Sequence, residues 1–114
     1  MALQDLTDIE RSAVRQCLRA IIDGPFIEDW EFHTRLGIYG TTAKTILASW
    51  RYLDDSIEDS DTFLAINNSM NEVCHGVPIS PDEWEKWFTA SREEIRRTFR
   101  KWAGLAGMSA TGIR

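Results

Sequence analysis

Two cysteines and two histidines, Cys17, His33, Cys74 and His75, are the side chains best suited to thiol or soft-metal chemistry. Cys74 adjoins His75, but neighbouring residues on a helix point in different directions, and no pair has the spacing that fixes a structural zinc ion. The acidic run DDSIEDSD at 54–61 lacks the central glycine and the final acidic ligand of a calcium loop. Nor does the chain carry a Ser/His/Asp arrangement with a recognisable elbow, a phosphate-cradling glycine loop or a carboxylate pair in an apolar setting. We therefore expect no enzyme, no metal and no cofactor.

Recognition chemistry is better supplied. Trp30 lies between Glu28, Asp29 and Glu31, and on a helix it would share a face with His33 and Thr34. An aromatic ringed by acids suits a protein interface, whereas the same ring packed on another helix would be structural. Together with Asp54, Asp55 and Glu58 of the acidic run, these residues form the candidate surface for a protein partner with a basic face. Acidic complementarity would speed encounter, and a desolvated tryptophan would supply more of the affinity.

A basic ridge competes with that reading. Arg92, Arg96, Arg97 and Arg100 cover the outward part of a helix whose inner stripe is Ile95, Phe99 and Trp102. Such a ridge would serve a nucleic-acid binder, acting as a homodimer, with Arg11, Arg15 and Arg19 touching phosphate. Glu93 and Glu94 stand four and three residues before Arg97, so the same pattern also describes a solvated helix with internal ion pairs.

The elements that position these groups are helices. Thr7 with Glu10, Ser80 with Glu83, and Ser91 with Glu94 have capping-box spacing, and Pro81 takes a first-turn position. The first helix carries Val14, Leu18, Ile21 and Ile22 on one face and stops at Asp23, Gly24 and Pro25. Asp59 or Asp61 is the expected cap of a later helix bearing Phe63, Ile66, Met70 and Val73, with Gly76 as its left-handed end. Asn67, Asn68 and Asn71 crowd that helix, and buried amides there would satisfy carbonyls or one another. No segment alternates with strand periodicity, so the fold class is all-α.

An offset of 52 residues sets Gly24 on Gly76, Trp50 on Trp102 and Leu53 on Leu105. Val14, Leu18, Ile21, Phe32, Leu36 and Leu47 then meet Ile66, Met70, Val73, Trp84, Phe88 and Phe99, a shared apolar pattern. The expectation is two tandem three-helix units, 7–53 and 59–105, packed about a pseudo-twofold axis as one domain, with 106–114 as a flexible tail. Within the first unit, Phe32, Leu36, Gly37, Ile38 and Ile46 resemble a helix-turn-helix motif over about twenty residues. The chain departs from that motif at His33, where a small residue lets the helices approach, and at Gly40, where the second helix would be capped.

With 114 residues and 43% hydrophobic content, one compact domain is the default. The net charge of -5 opposes nonspecific coating of nucleic acid or anionic membrane. The start of the chain has no signal-peptide pattern and no segment has the unbroken apolar length that spans a bilayer, so a cytoplasmic protein with reduced cysteines is expected. The leading expectation is a small nonenzymatic protein-binding domain of inhibitor, immunity or adaptor type. A helix-turn-helix DNA-binding regulator is the alternative.

Overall fold

The computed structural model describes residues 2–107. Among them the chain forms six α-helices and no strand: α1 (Asp8–Asp23), α2 (Asp29–Leu36), α3 (Gly40–Ala48), α4 (Asp61–Asn71), α5 (Pro81–Trp87) and α6 (Arg92–Leu105). Short 3-10 turns precede α1 at Leu3–Asp5 and follow α3 at Trp50–Tyr52, and one π-helical turn, Glu72–Gly76, extends α4. The expected tail at 106–114 falls from Met108 onward outside the described residues.

Helix starts follow local hydrogen bonding. Thr7 Oγ1 accepts from the Glu10 amide at 3.1 Å, while the Thr7 amide donates to Glu10 Oε1 at 2.8 Å, so this capping box is complete. At α5 and α6 only half of it forms. Ser80 and Ser91 accept from the amides of Glu83 and Glu94, but the Glu83 carboxylate turns instead to Lys86. At α4 the cap is Ser60, not Asp59 or Asp61: its hydroxyl accepts from the Phe63 amide, and Asp59 takes a left-handed turn conformation at φ 62°. A hydroxyl one residue before the helix has the geometry that Asp61, already inside it, lacks.

Gly76 is not the left-handed residue that its position suggests, since the only glycines with positive φ among the described residues are Gly37 and Gly107. The π turn closes instead when the Val77 amide donates to the Glu72 carbonyl. What Gly76 provides is space. A Cβ built there would collide with the Glu72 carboxylate, which occupies the room a side chain would fill.

Burial gives α1 the central place. Its Val14, Cys17, Leu18 and Ile21 are fully buried, and the helix packs against α3, α4, α5 and α6. Buried apolar side chains from both halves of the chain join in one cluster. The tryptophans matched at the 52-residue offset differ in role: Trp102 on α6 is 0% exposed, whereas Trp50 is only partly buried because α3 ends at Ala48. α2 is fastened to α4 by Asn68, whose amide donates to the Leu36 carbonyl at 2.8 Å, an acceptor left open by the end of α2. Asn67 donates to Asn68 at 3.0 Å, but Asn67 Oδ1 and Asn71 Oδ1 are buried without a partner among the described residues, so the expected mutual satisfaction of the three amides is only partial.

Candidate protein-binding surfaces

α2 is held on its inner side and bare on its outer side. Phe32 and Leu36 enter the core, and Arg35 reaches Glu72 through two charge-assisted bonds, Nε to Oε1 at 3.1 Å and a second guanidinium nitrogen to Oε2 at 2.6 Å. Glu72 is buried, and this fork fixes the rotation of α2 against the π turn. Glu31 adds a longer pairing to Arg35 at 3.7 Å, so its carboxylate is partly committed.

Trp30 points away from all of this and is 78% exposed. Among the described residues, no helix of the other half covers it. Glu28 and Asp29 beside it are exposed too, and His33, one turn along, stacks on Tyr39 with ring centroids 4.1 Å apart and planes 13° from parallel. Trp30, His33 and Tyr39 thus put three rings at the surface of α2 and the turn that follows it. Tyr39 joins this group although it was not among the candidate site residues read from the sequence. Its signal was the left-handed Gly37, which reverses the chain and returns Tyr39 to His33.

The acidic connector does not act as one surface. Asp54 and Glu58 are exposed, and Asp54 accepts from the hydroxyl and amide of Ser56, two bonds that hold its carboxyl below the usual range. Asp55 is a correction: at 2% exposure it cannot meet a partner. Its Oδ2 accepts from Trp102 Nε1 at 2.8 Å and from the Leu3 amide at 3.0 Å, so it is an internal brace between α6 and the N-terminal turn. Burial there follows from the need of a buried indole N–H for an acceptor.

The basic ridge also divides. Arg92 is committed to structure, with its guanidinium donating to the Ile79 carbonyl and lying 4.3 Å from the Trp84 ring centroid. Lys101 pairs with Glu10 of α1 at 2.7 Å. Arg96, Arg97 and Arg100 are exposed and make no side-chain hydrogen bond or ion pair among the described residues, so the expected pairing with Glu93 and Glu94 does not form.

Cys17 is buried, and desolvation, with a smaller contribution from Cys74, pushes its thiol well above the ordinary range. Cys74 is half-buried and is raised by desolvation, against which the charges of Arg96 and Arg100 act. Both are free thiols. Among the described residues, no three His, Cys, Asp or Glu side chains converge as metal ligands, and no helix is long and apolar enough to cross a membrane.

A feature absent from the sequence reading is an open groove of about 820 Å3 between α1 and the end of α3. Arg11, Ser12 and Arg15 form one wall, and Lys44, Leu47 and the segment Ser49 to Tyr52 form the other. The Arg11, Arg15, Arg19 stripe was visible in the sequence, but nothing local indicated that Lys44 and Arg51 would face it.

Comparisons with protein-family models, with curated proteins and with solved structures give no match to this chain.

Proposed function

We propose that this chain is a nonenzymatic protein-binding domain, of inhibitor, immunity or adaptor type, that docks a basic partner surface against the outer face of α2. The exposure of Trp30 carries the reading. A tryptophan kept in water forgoes a large burial gain, and its setting among Glu28 and Asp29 offers a desolvatable anchor inside an acidic rim. His33 and Tyr39 extend the anchor, while Asp54 and Glu58 add negative potential that steers a basic partner. The test compares proteins retained from native extract by the wild-type chain and by Trp30→Ala. The reading requires a retained protein that is lost with the variant and released by added salt; an identical retained set refutes it.

A second reading, DNA binding by α6, is supported by the uncommitted Arg96, Arg97 and Arg100 but not by Arg92. It expects binding to a DNA library at low salt, with steep loss on salt addition. We also propose that the two halves are tandem three-helix units. α2 and α5 begin 52 residues apart, as do α3 and α6, which supports that reading. A crystal structure in which 59–105 does not superpose on 7–53 would remove it.

A further inference from the structure

The groove along α1 has chemistry opposite to that of the Trp30 face, and none of its lining residues belongs to α2. Arg15, Lys44 and Arg51 on its walls make no side-chain hydrogen bond or ion pair among the described residues. Arg11 is anchored by the carbonyls of Leu3, Gln4 and Leu6 and by Asp8, so it fixes the wall. A smaller groove of about 260 Å3 shares Ser12 and Arg15 and continues the surface to Arg19, Lys86 and Trp87. Together they gather six Lys or Arg side chains against three carboxylates, with Arg11 and Lys86 already paired to Asp8 and Glu83, on a chain whose net charge is -5.

We propose that this face docks an acidic amphipathic helix of a partner protein. Arg15 and Arg19 stand four residues apart on α1, a rise of about 6 Å, which matches carboxylates four apart on a helix lying alongside. On the second wall, partly buried Leu47 and Trp50 supply an apolar strip for the helix's other stripe. α1 is 16 residues long, or about 24 Å, room for roughly four turns of an occupant. Tyr52, 88% exposed at the rim, adds a rigid aromatic contact.

Nucleic acid fits less well. Asp8 and Asp23 begin and end α1, and Glu85 lies on the adjoining groove, so a uniformly charged phosphate chain would meet three carboxylates. A peptide can place neutral or basic residues there.

The experiment pans a display library of random sixteen-residue peptides against the full chain and measures the enriched peptides by fluorescence anisotropy. The expected consensus has Asp or Glu at four-residue spacing with Leu or aromatic residues on the opposite stripe. Affinity should fall at least tenfold for Arg15→Glu with Arg51→Glu, and likewise for Lys44→Glu with Tyr52→Ala, each checked for an unchanged thermal melt. Trp30→Ala should leave this binding unchanged, which separates the groove from the α2 face. Enrichment without acidic character, wild-type affinity in either double variant, loss with Trp30→Ala, or tighter binding of a sixteen-nucleotide single strand than of the peptides would each overturn the proposal.

Discussion

Replacing Gly76 by Ala should change stability with a sign set by the residue four positions earlier. In the native chain the three atoms nearest to a built Cβ all belong to the Glu72 side chain, so the new methyl must displace that carboxylate. The carboxylate is the flexible end of a side chain and can swing, but swinging breaks the two-pronged bond to Arg35. Hydrogen bonds to charged groups contribute about 1.5 to 3 kcal/mol each. Arg35 retains partial water access and the nearby Glu31, which lowers the combined loss to about 1.5 to 2.5 kcal/mol.

With Glu72→Ala the obstruction is gone, and Gly76 does not need a positive φ. Gly76→Ala in that background should stabilise by about 0.4 to 1 kcal/mol, because alanine narrows the unfolded ensemble. The four proteins form a double-mutant cycle, read by urea unfolding with a shared m-value. A coupling of about 2 kcal/mol or more is expected. Equal effects of Gly76→Ala in both backgrounds would show that Glu72 does not set the requirement for glycine.

Asp55→Ala should cost about 2 to 4 kcal/mol in denaturant melts, because the buried Trp102 indole and the Leu3 amide both lose their acceptor; Asp54→Ala, at an exposed carboxylate, should leave the melt close to wild type. Trp30→Ala should shift stability by less than about 0.5 kcal/mol, as befits an exposed side chain, so that any binding loss is not a folding loss. Thr7→Ala should destabilise by about 1 kcal/mol and more than Ser91→Ala, since only the Thr7 box is reciprocal. The Glu10 carboxyl is lowered by its bonds to Lys101 and Thr7. Its stabilisation should be complete above the ordinary glutamate range and fade as pH falls below it, so wild type and Glu10→Gln should converge in acid melts.

Much of this fold was legible because its signals are local. A cap is a bond across three residues, and the apolar stripe of α1 repeats with the helical period, so neither needs knowledge of distant chain. Where two local solutions competed, the sequence misled. At the start of α4 the acids Asp59 and Asp61 were the expected caps and not the serine between them, and Gly76 after His75 looked like a left-handed stop. The site was less legible. Trp30 could be placed on a helix face but not assigned to water or core, because that depends on which helix passes over it.

The sequence by itself determined an all-helical chain, its main helix starts, the inner faces of its helices and its acidic total charge. Tertiary structure decided which polar groups remain available for recognition. Asp54 and Asp55 are neighbours of one residue type, yet only Asp55 is drawn inside, by an indole 47 residues away. Arg92 and Arg96 share a helix, yet only Arg92 lies over an aromatic ring and on a backbone carbonyl. A charged side chain is free or committed according to the donors and acceptors that packing brings within about 3 Å of it, and those come from parts of the chain whose proximity no local pattern encodes.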